Sequence, residues 1–422
     1  MIRFLLKGLL RDRSRSLFPV LTVVAGVTLT VVLYSWVRGT ESDVIRASAA
    51  FATGHLRVTT TGAAREGEVG ADELALTGLG GLLDELRRRF PGVEWTPRIR
   101  FAGLLDLPDE RGETRAQAPV AGLAIDLRAP GGPEQRALNL GRALRSGRLP
   151  AAPGEVLVSD ELAQRLRLAP GEQATLIATT RFGSLTTANF TVVGTIRFGI
   201  SAVDRGAILA DVADVQPALD MDDAASEVLG FFPDQVFRAA PARAIADAFN
   251  AGAPAGDLDP VMADLRADPG LAAILDFAAT VTTALIAIFV VVMSIVLWNA
   301  GLMASLRRYG EIGVRLAIGE HHGRIYRSLI AEALMIGLVG SLLGTALGVA
   351  ISAYLEVHGV SIARFLKNAS LLISDVLRAE VTPGSYLIGL VPGLLATLAG
   401  TSISGLGIFR RQTSQLAKEF EG

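Results

Sequence analysis

The sequence predicts a polytopic membrane protein with four transmembrane α-helices in a 1+3 order and a large α+β domain between the first and second helices. Half of the 422 residues are hydrophobic, and the mean hydropathy is +0.42. The apolar residues are concentrated in four charge-free blocks, and a helix needs roughly 20 apolar residues to cross a bilayer core. Each block is long enough to span; they lie at 17–37, 277–306, 333–355 and 381–409.

The orientation of the chain follows from its basic residues, because loops rich in Lys and Arg stay in the cytoplasm. Basic residues cluster before the first block, between the second and third blocks, and after the fourth block. Both termini and the second-to-third loop are therefore predicted to be cytoplasmic, with the large insert on the other side of the inner membrane. A cleaved signal peptide is disfavoured because the first apolar run is too long for one.

These rules divide the chain into nine segments. In chain order, the segments are a cytoplasmic amphipathic N-terminal helix at 1–15, the first span with a stalk at 16–53, a periplasmic α+β domain of two subdomains at 54–270, the second span with a stalk at 271–306, a cytoplasmic loop at 307–327, the third span at 328–356, a short periplasmic loop at 357–380, the fourth span at 381–409 and a cytoplasmic tail at 410–422.

Two of these segments have an alternative interpretation. Arg3, Lys7 and Arg11 share a helix face and predict a helix on the lipid surface, but a plain basic flank that only sets topology fits equally well. The second helix, begun at Leu271 and ended at Leu306, would be about 54 Å long against a hydrocarbon core of about 30 Å. We expect the excess to form a stalk toward the insert; ordinary tilt is the alternative.

Glycines recur at four-residue spacing in the third and fourth blocks. Such small residues on one helix face allow another helix to approach closely. We therefore expect helix packing, rather than chemistry, at Gly340, Gly344, Gly348, Gly389 and Gly393.

The pattern in the insert is mixed. Alternation predicts strands near 56–58, 156–158, 175–177 and 190–196, and apolar spacing predicts helices at 79–90 and 160–168. The stretch 131–153 is rich in Gly, Pro and Arg and is predicted to be a loop.

Several kinds of chemistry are missing from the sequence. The chain has no cysteine, so it has no disulfide or thiolate metal site. It contains no Walker A phosphate loop, no nucleophile elbow and no zinc-protease motif. Its four histidines are scattered and are predicted to be solvent-exposed, so no metal site and no catalytic residue is predicted. The net charge of −2 gives no reason to expect a nucleic-acid partner.

The spans also lack ionisable residues at mid-membrane. Ion-coupled carriers usually keep such a residue there as a proton or ion site. Energy for any transport must therefore come from elsewhere.

The most informative segment is the loop at 307–319, which reads RRYGEIGVRLAIG. Glu311 and Arg315 have the i, i+4 spacing of a helical ion pair. Ile312 and Leu316 provide an apolar side, and Gly319 can end the helix. The segment predicts a short amphipathic helix suited to a groove on a soluble partner, although by itself it could also rest on lipid.

This segment resembles the coupling-helix signature of FtsX-like ABC transporter permeases, the superfamily of MacB, FtsX, LolC and LolE. The resemblance carries the ATPase-docking role to Glu311, Ile312, Gly313, Arg315 and Gly319. We expect Arg308 and Leu316 of the same segment to take part in docking as well. Tyr309 and Gly310 depart from the usual Thr-Arg before the glutamate. The sequence GHLRV at 54–58 is similar to LolC and LolE, and GEVLVS at 154–159 is similar to the periplasmic domains of the superfamily.

The resemblance implies a mechanism and partners. Two ABC ATP-binding subunits, which bind ATP and Mg²⁺, would drive a dimer of this chain with a copy or a paralogue. Their closing would move the periplasmic domains, a mechanism called mechanotransmission. This chain itself is expected to bind no cofactor and not to be an enzyme. It begins directly at the first span, so we expect the ATPase to be a separate polypeptide.

Three functions are compatible with this resemblance. The first is LolC/LolE-type release of a lipoprotein or other amphipathic cargo to a periplasmic carrier. The second is MacB-like efflux of peptides or small molecules with an adaptor protein. The third is an FtsX-like transmitter that activates a cell-wall hydrolase. No cargo-binding residue can be identified from the sequence.

Overall fold

The computed structural model describes residues 13–66, 74–109, 111–252, 256–307, 314–315, 318–362, 364 and 374–410. The chain divides into two compact units, each made of several segments. The helical unit comprises Met1–Ser42, Leu275–Val360 and Leu377–Gly422, and the sheet unit comprises Asp43–Ile274 and Ser361–Val376. The boundaries between the units fall inside two long helices and two short strands.

The described helices and strands are numbered in chain order. The helices are α1 (Arg13–Ser48), α2 (Thr61–Glu66), α3 (Leu79–Arg89), α4 (Pro133–Ala137), α5 (Leu140–Ala143), α6 (Asp160–Leu166), α7 (Ser201–Asp204), α8 (Val212–Ala218), α9 (Ala239–Asn250), α10 (Pro269–Arg307), α11 (His322–His358) and α12 (Pro383–Arg410). The strands are β1 (Leu56–Thr60), β2 (Leu76–Thr77), β3 (Glu94–Pro108), β4 (Thr114–Ile125), β5 (Leu144–Gly147), β6 (Glu155–Ser159), β7 (Gln173–Thr179), β8 (Leu185–Ile196), β9 (Ala207–Asp211), β10 (Ala224–Ala225), β11 (Glu227–Phe231), β12 (Pro260–Asp264), β13 (Val360–Ser361) and β14 (Val376–Leu377). A π-helical turn (Ala49–Thr53) continues α1, and a 3₁₀ turn (Leu265–Ala267) follows β12.

The long helices follow the four apolar blocks. Within the described residues, three helical stretches are long and apolar enough to cross a membrane: Leu17–Thr53, Gly270–Phe289 and His322–His358. A shorter apolar stretch, Pro383–Ala399, lies in α12. The 39 residues of α10 correspond to about 58 Å, which exceeds a hydrocarbon core of about 30 Å.

The sheet unit is built on a mixed ten-stranded sheet. The strand order is β12-β1-β11-β3-β4-β9-β6-β8-β5, and β7 pairs with β3 and β8. The 15-residue strand β3 joins the two halves of the sheet. Its first part pairs with β11, and its second part pairs with β4.

Two buried apolar clusters support this sheet. The larger one includes the buried face of α3, formed by Leu79, Leu83 and Leu86. The smaller one includes Ala50 of the π-turn together with Leu138 and Leu140. Strands β4, β6, β8 and β9 contribute alternate residues to the two clusters, such as Val156 and Val158 to the larger one and Leu157 to the smaller one, so the clusters lie on opposite faces of these strands.

The prediction of a loop at 131–153 is wrong over much of its length, because the structure forms α4, α5 and β5 there. Pro133 begins α4, a position where the missing N–H costs no helical hydrogen bond. Leu140 and Ala143 of α5 are buried, so local turn residues were outweighed by apolar contacts with the sheet. Residues 361–376 of the expected short loop belong to the sheet unit.

Candidate functional site

The coupling segment lies mostly outside the described residues. Arg308, Glu311, Ile312, Gly313 and Leu316 are not described, and neither are residues 1–12 of the predicted N-terminal helix or 411–422 of the predicted tail. The proposed pair of Glu311 with Arg315 therefore stays a prediction.

The described end of this segment is a closed turn. The Ile318 N–H donates to the Val314 carbonyl at 3.0 Å, and the Glu320 N–H donates to the Arg315 carbonyl at 2.9 Å. Gly319 has a φ of 93°, a left-handed value that favours glycine at a helix end. Arg315 Nε lies 4.0 Å from Glu320 Oε2, and the Arg315 side chain is 54% exposed. A charged and accessible side chain is thus available just before the turn.

The third apolar helix packs on the first through a glycine stripe. A Cβ added to Gly340 would lie 2.7 Å from the Cβ of Val23. The same contact repeats at Gly344 with Val27 at 2.8 Å and at Gly348 with Val31 at 2.7 Å. The three valines are buried. The helices therefore approach at a distance that only glycine permits.

The Thr28 side chain adds a polar contact to this packing. Its Oγ1 donates to the Gly344 carbonyl at 3.1 Å. The backbone of the glycine stripe is thus close enough for a side chain of the neighbouring helix to reach it.

Helices α11 and α12 pack through hydroxyl groups set against glycines. A Cβ on Gly389 would collide with Thr345 Oγ1, and a Cβ on Gly393 would collide with Ser341 Oγ. Gly337 faces Thr397 in the same way, with the roles of the helices exchanged. The spacing is four residues on both helices in opposite directions, as expected for an antiparallel pair.

Helices α1 and α12 share a buried polar contact near one end. Ser35 Oγ and Ser385 Oγ lie 3.0 Å apart. The Glu380 N–H donates to the Ser35 carbonyl at 2.8 Å. Of the four predicted spans, α1, α11 and α12 thus form one packed group.

In the sheet unit, α1 ends in a π-turn rather than a simple cap. The Gly54 N–H donates to the Ala49 carbonyl at 2.9 Å, the i to i+5 pattern of a π-helix. Gly54 has a φ of 63°, and a Cβ there would lie 2.9 Å from the Leu56 carbonyl oxygen. Glycine at 54 therefore lets the chain turn from the helix into β1.

Two arginines of β3 bind the carbonyls of this π-turn. Arg98 Nη2 donates to the Ala50 carbonyl at 2.7 Å. Arg100 Nη2 donates to the Ala52 carbonyl. Arg98 is fully buried, whereas 25% of the Arg100 side chain is exposed. We call these two side chains, with Glu134, Glu227 and Arg57, the arginine cluster.

Two buried glutamates pair with the arginines. Glu134 Oε1 accepts from Arg98 Nε at 3.0 Å, and Glu227 Oε1 accepts from Arg100 Nε at 2.8 Å. Arg57 Nε lies 2.6 Å from the other oxygen of Glu227. The two carboxyl groups are at most 2% exposed, so their charge is screened only weakly by water.

The two carboxyl groups differ in their acidity. Burial raises the pKa of Glu134 to about 7, against the opposing effect of Arg98. Burial also acts to raise the pKa of Glu227, but the charges of Arg100, Arg57 and Arg98 outweigh it and lower that pKa overall. Glu227 is therefore the permanent anion of the cluster at neutral pH.

The prediction that the histidines are exposed is wrong for His55, which is 3% exposed. Its Nδ1 accepts a hydrogen bond from the Phe232 N–H at 3.0 Å. The rings of Phe231, Phe232 and Phe237 lie 5.3–5.9 Å from its own ring. Burial lowers the pKa of His55 to about 4. The imidazole is thus a neutral core side chain.

Asp375, in the part of the α11–α12 connection that belongs to the sheet unit, is hydrogen-bonded within that unit. Asp375 Oδ1 accepts from Ser201 Oγ at 2.8 Å. The Asp375 N–H donates to the Gly199 carbonyl at 2.7 Å. This buried aspartate fixes the end of segment 361–376 on the sheet unit.

Among the residues that the structure describes, no three His, Cys, Asp or Glu side chains are grouped to hold a metal ion. The arginine cluster was not predicted. Its one sequence signal is that Arg98 and Arg100 alternate with Ile99 and Phe101, which places both arginines on one face of a strand.

Comparisons with known proteins match the two parts of the chain separately. Residues 16–250, more than half of the chain, match the MacB-like periplasmic core domain. Residues 283–413 match the FtsX-like permease C-terminal family.

The sequence is similar to several export proteins. The pyoverdine export ATP-binding/permease protein PvdT of Pseudomonas putida is 36% identical over 80 residues, which is 19% of this chain and 12% of that protein. The macrolide export ATP-binding/permease protein MacB of Chromobacterium violaceum is 26% identical over 136 residues, 32% of this chain and 20% of that protein. MacB of Agrobacterium fabrum is 31% identical over 121 residues, 28% of this chain and 18% of that protein. The matched stretches thus span a fifth or less of these relatives.

Among solved structures, the periplasmic region of MacB from Actinobacillus actinomycetemcomitans matches with a TM-score of 0.35 and 12% identity. The match covers 51% of this chain and 91% of that one. The family assignment rests on the two domain matches. By these matches, the chain belongs to the FtsX/MacB superfamily of permeases, with a MacB-like periplasmic core domain followed by an FtsX-like C-terminal region.

Proposed function

We propose that this chain is the membrane subunit of an ATP-driven exporter that works by mechanotransmission. A separate ATP-binding subunit, present in two copies with ATP and Mg²⁺, docks on the segment 307–319. Its closing moves the periplasmic core domain through helices that continue beyond the bilayer. The observation that carries this proposal is the pairing of a MacB-like core domain with an FtsX-like C-terminal region in one chain.

The proposal includes a topology of four spans in the inner membrane with both termini in the cytoplasm. The described helices α1, α10 and α11 support three of these spans, and α12 would be the fourth. The chain would act as a dimer with a copy or a paralogue.

We infer that the cargo is handled on the periplasmic side. Relatives named for pyoverdine and macrolide export support an efflux function with an adaptor protein. Release of a lipoprotein or another amphipathic cargo is the second candidate, and it was suggested by the motif at 54–58. The fold itself requires Gly54 for a turn and His55 for the core. This motif therefore favours lipoprotein release less than it did in the sequence alone.

The docking role is tested by reversing one charge. Glu311→Lys should uncouple ATP hydrolysis from periplasmic work in a reconstituted complex, because it reverses the charge of a predicted partner-facing side chain. The matched control is Glu85→Lys, a charge reversal on the exposed face of α3. Equal transport by both variants and the wild type would contradict the docking role.

The cargo class is tested on the purified complex. Co-purification of an adaptor protein supports efflux, and a bound lipoprotein supports release. Altered hydrolase activity without any cargo would instead support the FtsX-like transmitter. Identification of the co-eluting chains by mass spectrometry distinguishes the first two outcomes.

A further inference from the structure

We propose that Arg98 and Arg100 are positioning residues that lock the π-turn onto the sheet, so that the end of α1 and the sheet unit move as one rigid body. This inference rests on the proposed mechanotransmission, because a rigid connection is useful only where a displacement must be passed on. It assigns a mechanical role to a buried cluster that no cargo or nucleotide chemistry requires.

At the end of α1, the backbone carbonyls need hydrogen-bond partners from outside the helix. The last carbonyls of a helix have no partner within the helix and are usually bound by water, a cap or a side chain. Here the Ala50 and Ala52 carbonyls accept from Arg98 and Arg100. Bonds from charged donors are roughly twice as strong as neutral ones. The π-turn is therefore held by two strong bonds rather than by solvent.

The net charge of the arginine cluster also favours its contact with the end of α1. Three arginines and two glutamates leave one positive charge when both glutamates are ionised. The C-terminus of a helix carries about −0.5 of an elementary charge, which favours cations there. The arginine cluster thus complements the electrostatics of the helix end that it binds.

The connection between the π-turn and β1 has one residue at which it could pivot. Gly54, with its positive φ, lies between the π-turn and β1 and is the natural hinge of this connection. The arginines hold the carbonyls just before Gly54, and β1 pairs with β11 and β12 just after it. The contacts therefore fix both sides of the hinge.

Apolar packing holds the other side of the same turn. Ala50 is buried in the smaller cluster. The Phe51 ring meets the Phe198 ring edge to face, with centroids 4.8 Å apart. The turn is thus bound through its carbonyls on one side and through its side chains on the other.

The test measures the stiffness of this connection in the full chain. Because the chain has no cysteine, Arg46→Cys and Asp84→Cys place two spin labels on exposed sites of α1 and α3. The distance distribution between the labels is recorded by pulsed electron resonance in nanodiscs. The test variant adds Arg98→Leu/Glu134→Leu. It removes a buried pair without leaving a lone charge, and such replacements are often tolerated.

We expect a narrow distribution in the parent chain and at least a doubling of its width in the test variant. The matched control, Arg115→Leu/Glu172→Leu, removes an exposed pair elsewhere in the sheet unit and should keep the parent width. If the test variant folds poorly, Arg100→Gln removes the contact with Ala52 and leaves Glu227 beside Arg57. A parent-like width in the folded test variant, or in Arg100→Gln where that variant replaces it, overturns the inference.

The same labels separate this inference from the proposed function. The widths are measured without nucleotide or partner, so they judge the locking role even if no ATP-binding subunit is found. With a bound partner and trapped nucleotide, the parent distance should remain constant, because both labels lie on one rigid body. A parent distance that changes with nucleotide contradicts the locking role but not the ATP-driven motion itself.

Discussion

The helical unit and the sheet unit are held together by different kinds of buried contact. In the helical unit, glycines meet valines and hydroxyl groups at fixed spacing, as in Gly344 against Val27 and Gly389 against Thr345. In the sheet unit, a buried cluster of arginines and glutamates holds a helix end. Lipid provides no hydrophobic force between helices, so close approach of small residues must hold them together. Water outside the sheet unit does provide that force, which offsets the cost of burying charges.

The two units should therefore respond to different perturbations. The helical unit should be sensitive to added volume, and the sheet unit should be sensitive to unbalanced charge and to pH.

Removing the permanent anion of the arginine cluster should be the most damaging change. Glu227→Leu leaves Arg57, Arg98 and Arg100 without their shared carboxylate and should cost about 3–5 kcal/mol of unfolding free energy. Denaturant unfolding followed by tryptophan fluorescence, to which the buried Trp95 of the sheet unit contributes, measures this loss. Glu172→Leu, at an exposed pair, should change stability by less than about 1 kcal/mol. Similar losses in both variants would contradict a special role of the cluster.

The second prediction concerns the pH dependence contributed by His55. Its pKa is about 4 in the folded chain and about 6.5 when unfolded. The unfolded state therefore takes up the proton first as the pH falls. The stability from His55 should be complete above pH 6.5 and should decrease by about 3 kcal/mol as the pH falls to 4.

The His55→Asn variant isolates this contribution, because Asn retains an acceptor near the position of Nδ1 but does not titrate. The difference in unfolding free energy between wild type and variant should change between pH 7.5 and 4.5. His358→Asn is the control, since His358 lies on Tyr354 in α11 and its surroundings are exposed. A difference that is independent of pH would show that His55 is not a neutral core residue.

The third prediction tests added volume in the helical unit. Gly344→Leu should push α1 and α11 apart, because even a Cβ would lie 2.8 Å from Val27. The expected loss is about 1–3 kcal/mol, measured by the thermal stability of the chain in nanodiscs. Gly323→Leu, in the same helix but with open space around its Cβ, is the control. Equal stability of the two variants would contradict the glycine packing.

The smallest effect is expected at the connection between α11 and α12. Ser201→Ala removes one hydrogen bond to the buried Asp375 and should cost about 1 kcal/mol. It should also increase amide exchange at residues 374–376. Thr175→Val, which removes the exposed hydrogen bond to Asn189, should leave that exchange unchanged. Parent-like exchange in Ser201→Ala would show that this contact does not hold the segment.

The long helices were largely predictable from sequence, because one physical rule governs them. An uninterrupted apolar run must be helical in a membrane, so the predicted second span at 271–306 is within two residues of α10 at each end. The glycine spacing likewise indicated which faces would pack. Because these features are local in sequence, tertiary contacts seldom override them.

The arginine cluster could not be predicted in the same way, because it joins residues from four distant segments. Glu134 lies in a stretch whose Gly and Pro content indicated a loop, and its burial depends on α4 packing near β3. His55 was expected to be exposed because the histidines are scattered along the chain, but the three phenylalanines that surround it come from the distant stretch 231–237. Burial of polar residues is decided by such distant partners, and a single sequence does not show them.

The central claim is that ATP hydrolysed by a partner displaces the sheet unit. Energy transfer between a dye on Asp84→Cys and acceptor lipids measures this displacement in nanodiscs that contain the ATP-binding subunit. The account predicts that trapping the nucleotide changes the transfer efficiency in the parent chain and that Glu311→Lys abolishes the change. A transfer efficiency that stays the same through the nucleotide cycle, in a complex that hydrolyses ATP, would contradict it.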